Sequence, residues 1–308
     1  MMTAQGVSPG QERFSAQTVG GQVVSRFAPS PTGRLHLGHA YSALLAHDFA
    51  RERGGAFLVR IEDIDPGRAR PDYVDGIFAD LAWLGIGWDG EVMFQSQRLA
   101  QYGEALDQLK AQGLLYPCFC TRTAIAAEIA ASASAPHGPD GPLYPGTCSK
   151  LPPAERESMA REKSHAWRLD MAMAAAQAGP LHWLEGERQV TAQPEQFGDV
   201  VLARKDAPVS YHLAVTIDDA AQGVTDVVRG EDLFAATHVH RLLQALLGLP
   251  TPRYHHHPLI HDVAGRRLAK RHGAPTLAEL RASGADPQVL VAALRKGRLP
   301  AGYSGAAS

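Results

Sequence analysis

The amino-acid sequence predicts an α/β protein built on a doubly wound parallel sheet, and three observations predict this class. Residues 56–61 form a short, largely apolar segment, which is typical of a strand buried in a parallel sheet. The preceding segment, 37–53, carries large apolar residues at helical spacing, so strand and helix patterns alternate. Glu62, Asp63 and Asp65 follow the strand immediately, and open α/β sheets bind ligands beyond the carboxyl ends of their strands.

The other elements of the first half follow in order. Residues 23–27 are predicted to form a strand that leads through a Pro- and Gly-rich turn into the helix at 37–53. After the strand at 56–61, two further helices are predicted, at 73–84 and 97–112.

A different region begins near Tyr116 and is interpreted as an insertion between two halves of a nucleotide-binding fold. Its segment 126–142 begins as a helix and ends in a loop-like stretch of Ala, Ser, Gly and Pro. Strand and helix patterns return over 206–249, and 277–298 is helical in pattern. No internal repeat is visible.

Composition indicates a globular protein outside the membrane. The 308 residues are 45% hydrophobic and 20% charged, and no apolar run approaches the ~20 residues of a membrane span. The polar N-terminus lacks the apolar core of a secretory signal, so we expect a mobile extension over 1–22 and a cytoplasmic protein.

Net charge does not indicate nucleic-acid binding. At −2 it favours a small-molecule enzyme, so any contact with RNA must come from local basic patches. The alternative for each patch is an ordinary solvated surface. The candidates are Arg266, Arg267, Lys270 and Arg271, and a second group of Arg295, Lys296 and Arg298.

Two short motifs near the ends of the chain suggest a nucleotide site. In the first, a strand and turn lead into a helix whose opening residues include His36, Gly38 and His39. A helix N-terminus presents free N–H groups and a positive dipole end to a phosphate, and Gly38 leaves room for a base or phosphate against the backbone. In the second, Lys270 lies in a basic stretch and could supply a mobile positive charge. The alternatives are capping or packing by the histidines and a solvated lysine.

Together these motifs resemble those of class I aminoacyl-tRNA synthetases. Residues 36–39 (HLGH) resemble the HIGH element, and 267–271 (RLAKR) resemble the KMSKS loop, with Lys270 at its second lysine. The loop departs from that pattern at Arg267, Ala269 and Arg271. The glutamate branch of the class is indicated by four further segments, 26–33 (RFAPSPTG), 60–66 (RIEDIDP), 211–219 (YHLAVTIDD) and 227–233 (VVRGEDL).

This resemblance implies activation of L-glutamate by ATP with Mg²⁺, and it assigns roles to residues. His36, His39 and Lys270 are the implied catalytic residues, and with Gly38 they form the implied ATP site. The implied glutamate site consists of Arg26, Phe27, Ala28, Pro29, Ser30, Glu62, Tyr211 and Arg229.

Alternatives to these roles stay open for the charged residues. Internal salt bridges to Glu62 or Asp232 are the alternative for Arg26 and Arg229. For Asp63 and Asp65 the alternative is capping of the next helix.

The resemblance also implies an acceptor for the activated glutamate. Within the glutamate branch the sequence is most similar to a shortened paralogue of glutamyl-tRNA synthetase that lacks an anticodon-binding domain. That similarity implies transfer of glutamate to queuosine at the first anticodon position of tRNA(Asp). The alternatives are a glutamyl-tRNA synthetase that charges the tRNA 3′ end and a catalytically inactive, zinc-bearing RNA-binding module.

The three cysteines suggest a metal site. An odd number in a chain without an export signal argues against disulfides. Cys118 and Cys120 lie on one side of an extended turn, and with Cys148 they need one more ligand for tetrahedral zinc. Tyr144 is one candidate, because Zn²⁺ lowers the pKa of a phenol, and His137 is its rival. The alternative is three unrelated buried cysteines.

The family resemblance favours the tyrosine. The shortened paralogue carries a Cys-x-Cys…Tyr-x-x-x-Cys site, which implies one structural Zn²⁺ per chain on Cys118, Cys120, Tyr144 and Cys148. The long gap from Cys120 to Tyr144 is tolerable, because loop length adds little closure entropy. The histidines at 255–257 are not expected to bind a metal together, since neighbours in a strand alternate faces; we expect this strand to approach the nucleotide site.

The expected domain organisation follows. Residues 23–113 and 206–260 form a Rossmann-type catalytic domain, and 114–205 form an inserted subdomain with the zinc site. Residues 261–308 hold the KMSKS-like loop and a truncated helical region, without an anticodon-binding domain.

Overall fold

A parallel sheet forms the centre of each half of the structure, a computed structural model that describes residues 21–131, 137–139, 141–205, 207–260 and 275–299. The strands are β1 (Val24–Phe27), β2 (Ala56–Ile61), β3 (Met93–Phe94), β4 (Leu115–Cys118), β5 (His137–Gly138), β6 (Gly141–Pro142), β7 (Ala166–Leu169), β8 (His182–Glu185), β9 (Arg188–Thr191), β10 (Val201–Ala203), β11 (Asp226–Gly230) and β12 (Arg253–His257).

Helices connect and cover these strands. They are α1 (Leu37–Glu52), α2 (Pro71–Trp83), α3 (Leu99–Ala111), α4 (Arg122–Ala131), α5 (Pro153–Glu162), α6 (Met171–Ala178), α7 (Tyr211–Ala221), α8 (Ala236–Leu247), α9 (Leu277–Ala282) and α10 (Pro287–Leu294). The helices predicted in the first half are present within about two residues of their predicted ends, the usual uncertainty of helix boundaries.

The first sheet has the order β1-β2-β3, and both pairings are parallel. Phe57, Val59 and Ile61 lie on one face of β2 and are fully buried, and on the other face Ala56 and Leu58 are partly buried and Arg60 is fully buried. The second sheet has the order β11-β12-β8-β9, with β11, β12 and β8 parallel. The two sheets adjoin where the Thr225 N–H donates to the Val24 carbonyl at 3.0 Å. The predicted α/β class with a parallel sheet is confirmed.

The insertion contains its own antiparallel sheet of β10, β7 and β4. In contrast, β8 and β9 lie in the second parallel sheet, although both fall inside the range 114–205 assigned to the insertion. Trp183 of β8 is the physical reason, because it is buried against Val227 and Tyr254 of the neighbouring strands. The domain boundaries themselves stay a prediction.

The helical pattern at 277–298 is divided into two helices. Gly284 adopts a φ of +76°, which ends the first, and Asp286 caps the second by accepting from the Gln288 N–H at 2.8 Å. Both helices pack into the core of the first sheet and α1. Arg295 of the second predicted basic patch donates to Asp48 of α1 at 2.7 and 2.9 Å, so it fastens this region to the core.

Within the described ranges, no helix has both the length and the apolar character needed to cross a membrane.

Candidate active site

A cleft of about 640 Å³ opens where four parallel strands end. Phe27 ends β1, Glu62 follows β2, Arg229 lies at the end of β11, and His257 ends β12. The cleft brings together all the described residues predicted to bind glutamate or ATP: Arg26, Phe27, Ala28, Pro29, Ser30, His36, Gly38, His39, Glu62, Tyr211 and Arg229. Lys270 lies outside the described residues, as does the first basic patch.

The two histidines at the start of α1 cap the helix. His36 Nδ1 accepts the Gly38 N–H at 3.1 Å, and His39 Nδ1 accepts the His36 N–H at 3.2 Å. An imidazole that accepts through Nδ1 carries its proton on Nε2 when it is neutral. Both rings line the cleft, so each brings an Nε2–H donor to it.

This geometry corrects the role predicted for the backbone. The Gly38 N–H is not free for a phosphate, because the His36 ring already accepts it. A Cβ on Gly38 would lie 3.0 Å from His36 Cε1, so the glycine first makes room for the capping imidazole. The histidines therefore both cap the helix and replace its N–H groups with side-chain donors.

Arg26 is held by a buried ion pair that the sequence analysis did not anticipate. Its Nε and Nη2 donate to the two carboxylate oxygens of Asp219 at 2.9 and 3.2 Å. Arg60, which is fully buried, lies 2.8 Å from the same carboxylate. The alternative that Arg26 pairs with Glu62 or Asp232 is wrong, because Asp219 takes that place.

Glu62 lines the cleft, and the pKa of its carboxyl group is raised. Burial raises the pKa of Glu62 to about 7, although the charges of Arg60 and Arg26 act in the opposite direction. Arg60 Nη2 lies 3.6 Å from its Oε1, which is too long for a hydrogen bond. Among the described residues, Arg60 is thus at ion-pair distance from this carboxylate but makes no hydrogen bond to it, so the carboxylate oxygens can accept from a substrate ammonium group.

Arg229 is buried on the opposite wall and has different partners. It donates to His256 Nε2 at 3.0 Å, to Thr237 Oγ1 at 2.8 Å and to the Leu233 carbonyl at 3.1 Å. Tyr211 Oη lies 3.4 Å from its Nη1. The alternative of a salt bridge to Glu62 or Asp232 is wrong for this residue as well.

The two acids after Glu62 do not cap the next helix. Asp63 accepts the Ser96 N–H at 2.8 Å and its hydroxyl at 2.6 Å, and Asp65 accepts from the Arg68 Nε at 2.7 Å. Arg70 stands at the N-cap of α2 and makes no side-chain capping bond. The capping alternative is therefore wrong.

The three cysteines converge in the insertion. Their Sγ atoms lie within 4.8 Å of one another, and Cys120 Sγ is 3.5 Å from Cys148 Sγ. Tyr144 Oη lies 3.5 Å from both Cys118 Sγ and Cys120 Sγ. Zn–S bonds of about 2.3 Å and Zn–O bonds of about 2.0 Å give tetrahedral edges of about 3.8 Å between sulfurs and about 3.5 Å between sulfur and oxygen. The three distances of 3.5 Å are therefore close to the edges of a zinc tetrahedron, and thiolate and phenolate donors suit this ion.

Protonation in this cluster differs from one donor to the next. Burial raises the pKa of Cys120 to about 11. At Cys118 burial acts in the same sense, but hydrogen bonds from Tyr144 and Arg168 lower the pKa overall. The Cys148 N–H donates to Tyr144 Oη at 2.9 Å, but burial and the hydrogen bonds with Cys120 and Cys118 raise the pKa of Tyr144, so a bound metal must displace the phenol proton. The side chain of the rival ligand, His137, lies outside the described part of the chain.

The neighbouring histidines of β12 contact different partners. His255 Nε2 lies 2.8 Å from Asp226, His256 Nδ1 lies 2.8 Å from Glu185, and His257 Nε2 lies 3.2 Å from Ser42 Oγ. The strand does approach the cleft, since His257 lines it. Asp219, Arg60 and His256 are the residues that sequence reasoning missed; the first two lie inside quoted motifs, but no spacing shows that they meet.

Comparison with known proteins places this geometry in a family. The model of "tRNA synthetases class I (E and Q), catalytic domain" matches residues 22–303. A glutamyl-Q tRNA(Asp) synthetase from Rhodobacter capsulatus is 53% identical over 274 residues, which are 86% of this chain and 97% of the relative. One from Symbiobacterium thermophilum is 44% identical over 86% of this chain and 83% of its own length.

Solved structures agree with this fold. The crystal structure of glutamate-tRNA synthetase from Elizabethkingia anophelis matches with a TM-score of 0.70 and 29% identity over 82% of this chain. The chain spans about half of that protein, 53% of its length. Because the family model covers most of the sequence and close relatives match over most of both lengths, this chain belongs to the family of class I tRNA synthetases for glutamate and glutamine.

Proposed function

We propose that this protein activates L-glutamate with ATP and transfers it to queuosine at the first anticodon position of tRNA(Asp). One observation carries the first step. The cleft is lined by two buried guanidinium groups, Arg26 and Arg229, and by the carboxylates of Glu62 and Asp232, and glutamate has two carboxylates and one ammonium group. The charges of site and substrate are therefore complementary.

The proposed chemistry needs no covalent attachment to the enzyme. A carboxylate oxygen of glutamate attacks the α-phosphorus of ATP, the bond to the β-phosphate breaks, and glutamyl-adenylate and pyrophosphate form. His36, His39 and Lys270 donate to the phosphates, while Mg²⁺ enters with ATP. Catalysis is then positioning and stabilisation of charge on the phosphoryl oxygens.

The remaining roles follow from position. Glu62 binds the ammonium group, Tyr211 binds the substrate through its hydroxyl, and the turn at 27–30 lies against the ligands. One Zn²⁺ on Cys118, Cys120, Tyr144 and Cys148 is structural, because four protein ligands leave no open position for chemistry.

The acceptor is proposed from the relatives whose printed name is glutamyl-Q tRNA(Asp) synthetase. A tRNA substrate also favours the cytoplasm as the place of reaction. The test supplies labelled glutamate and ATP either with tRNA(Glu) or with tRNA(Asp) that carries or lacks queuosine, and then maps the label by nuclease digestion. We expect label on the queuosine-containing anticodon fragment only. Label on the terminal adenosine of tRNA(Glu) would instead make the protein a glutamyl-tRNA synthetase, and label on unmodified tRNA(Asp) would refute queuosine as acceptor.

Glutamate binding should weaken as pH falls. Because the pKa of Glu62 is raised to about 7, its carboxyl is increasingly neutral below that pH and loses attraction for the substrate ammonium. We expect the KM for glutamate in ATP–pyrophosphate exchange to rise by up to about tenfold per pH unit below about pH 7, with the KM for ATP changing less.

The matched variant for this measurement is Glu62→Gln. It should raise the KM for glutamate at every pH and remove most of the pH dependence. A wild-type KM that stays flat between about pH 6 and about pH 8 would contradict the proposed role of Glu62.

A further inference from the structure

Arg229 is a buried cation surrounded by neutral groups. Its side chain donates to His256, Thr237 and the Leu233 carbonyl, and within the described ranges no carboxylate oxygen lies within 4.0 Å of its guanidinium. Arg26 across the cleft has the opposite arrangement, since Asp219 binds it through both oxygens. Of these two arginines, Arg229 is therefore the one whose charge is not paired with a described carboxylate.

A carboxylate, Glu185, is nevertheless bonded to one of these neutral partners, His256. Glu185 accepts the His256 Nδ1–H through Oε2 at 2.8 Å and the His256 backbone N–H through Oε1 at 2.7 Å. Both oxygens therefore accept from His256, and Oε2 also accepts the Trp183 Nε1–H at 3.4 Å. With its proton held on Nδ1, the ring presents a bare Nε2 to Arg229 Nε–H at 3.0 Å.

The far side of the guanidinium meets a second neutral imidazole. His240 Nδ1 lies 3.4 Å from both Nη1 and Nη2 of Arg229, so it must accept, and its Nε2–H then donates to His212 Nδ1 at 3.2 Å. Burial and the charge of Arg229 lower the pKa of His240, and burial lowers that of His256. Both rings therefore stay neutral acceptors around the cation.

We infer that His256 and Glu185 are positioning residues for Arg229: Glu185 fixes the ring of His256, and His256 fixes the guanidinium so that its charge faces a substrate carboxylate. This inference rests on the proposed glutamate site.

The bond lengths show which edge of Arg229 is presented. Nε and Nη2 have short bonds of 3.0 and 2.8 Å, whereas the two bonds of Nη1 within the described residues are both 3.4 Å. Nη1 is shared with Tyr211 Oη, which lines the cleft. Nη1 and the tyrosine hydroxyl thus form the pair that receives the carboxylate, and His256 holds the guanidinium in that orientation.

Two substitutions of His256 separate its two bonds. Asparagine places an amide N–H near the position of Nδ1, so it keeps the bond to Glu185 but does not reach Arg229. Glutamine places its amide near Nε2, so its oxygen can accept from Arg229. We expect His256→Asn to raise the KM for glutamate in ATP–pyrophosphate exchange by about tenfold or more, because a hydrogen bond to a charged group is lost. His256→Gln should restore most of the affinity, and in both variants the KM for ATP should stay close to wild type.

The chain offers a matched control on the same strand. His255 also pairs with a carboxylate, Asp226, at the same distance of 2.8 Å, but on the other face of β12. His255→Asn should therefore leave the KM for glutamate unchanged. A general structural loss would lower kcat in His255→Asn as well as in His256→Asn. A positioning role instead raises the KM for glutamate only in His256→Asn.

Glu185→Gln provides an independent measurement if His256→Asn does not fold. The amide oxygen can accept only one of the two His256 donors well, so we expect an increase of a few fold in the KM for glutamate. Wild-type values for glutamate in whichever of these two variants folds would overturn the inference. Absence of glutamate-dependent exchange in the wild-type protein would instead refute the proposed function, so the two failures are distinguishable.

Discussion

Replacing His39 with alanine should lower the rate of glutamate-dependent ATP–pyrophosphate exchange by about a hundredfold or more, because a donor to the transition-state phosphates is lost. The structure gives the reason. Nδ1 of His39 accepts the His36 N–H, so the neutral ring carries its proton on Nε2, and the ring lines the cleft. His36 is arranged in the same way through Gly38, and its replacement should have a similar effect.

Loss of the cap must be separated from loss of the donor. His39→Asn places an amide oxygen near Nδ1 and can keep the cap, but it has no donor at Nε2. His39→Gln places an N–H near Nε2. We therefore expect His39→Asn to retain stability but to lose rate as alanine does, and His39→Gln to recover part of the rate. The measurement combines exchange kinetics with thermal unfolding.

Lys270→Ala tests the other implied donor and should reduce exchange by a similar factor. If His39→Ala and Lys270→Ala both retained near-normal exchange, the assignment of the ATP site would be wrong. Retention by one variant alone would assign the donor role to the other residue.

Elements with a single strong pattern could be predicted from the sequence. The strand β2 has its predicted bounds, because five of its six residues are apolar and most of its positions are buried. In contrast, β8 is four residues long and mixes exposed and buried positions, so its burial pattern has no signal that separates it from a loop. Its place in the second sheet depends on the burial of Trp183 against a core formed much later in the chain.

The residues that line the cleft could be predicted from the sequence better than the residues that hold them in place. Short motifs carry Arg26, His36, Glu62 and Arg229, because ligand-binding residues follow strand ends or open a helix. Their supporting partners come from distant segments: Asp219 is 193 residues from Arg26 along the chain. Only the fold brings such residues together, so no local pattern could predict that Arg26 is paired and Arg229 is not.

The capping histidines show a second limit of prediction from the sequence. Sequence reasoning treated capping and ligand binding by His36 and His39 as alternatives, whereas the structure shows capping through Nδ1 with both rings lining the cleft. An imidazole has two nitrogens with different roles, so one ring can serve both purposes. The same property allows His256 to contact Glu185 and Arg229 at once.

Removing one thiol should remove the metal. We expect wild-type protein to hold about one zinc per chain and Cys118→Ser to hold almost none, because three ligands bind structural zinc far less tightly than four. Cys118 and Cys148 are buried in a small cluster with Tyr116, so little apolar area would hold β4 in place without the ion. We therefore expect local unfolding of the insertion and loss of transfer to tRNA, with glutamate activation retained, since the cleft is lined by other elements.

Elemental analysis of both proteins measures the metal, and Tyr144→Phe isolates the fourth ligand. The phenyl ring can keep the contact with Arg168, whose Cζ lies 3.8 Å from the ring centroid, so the variant removes only the oxygen. If Tyr144 is a ligand, Tyr144→Phe should lose zinc to a competing chelator much faster than the wild-type protein. A matched replacement of His137 should change nothing; loss of zinc there, with full retention in Tyr144→Phe, would make the histidine the fourth ligand. Metal-free wild-type protein, or full occupancy in Cys118→Ser, would refute the site, because the convergence of the three thiols would then have to come from packing alone.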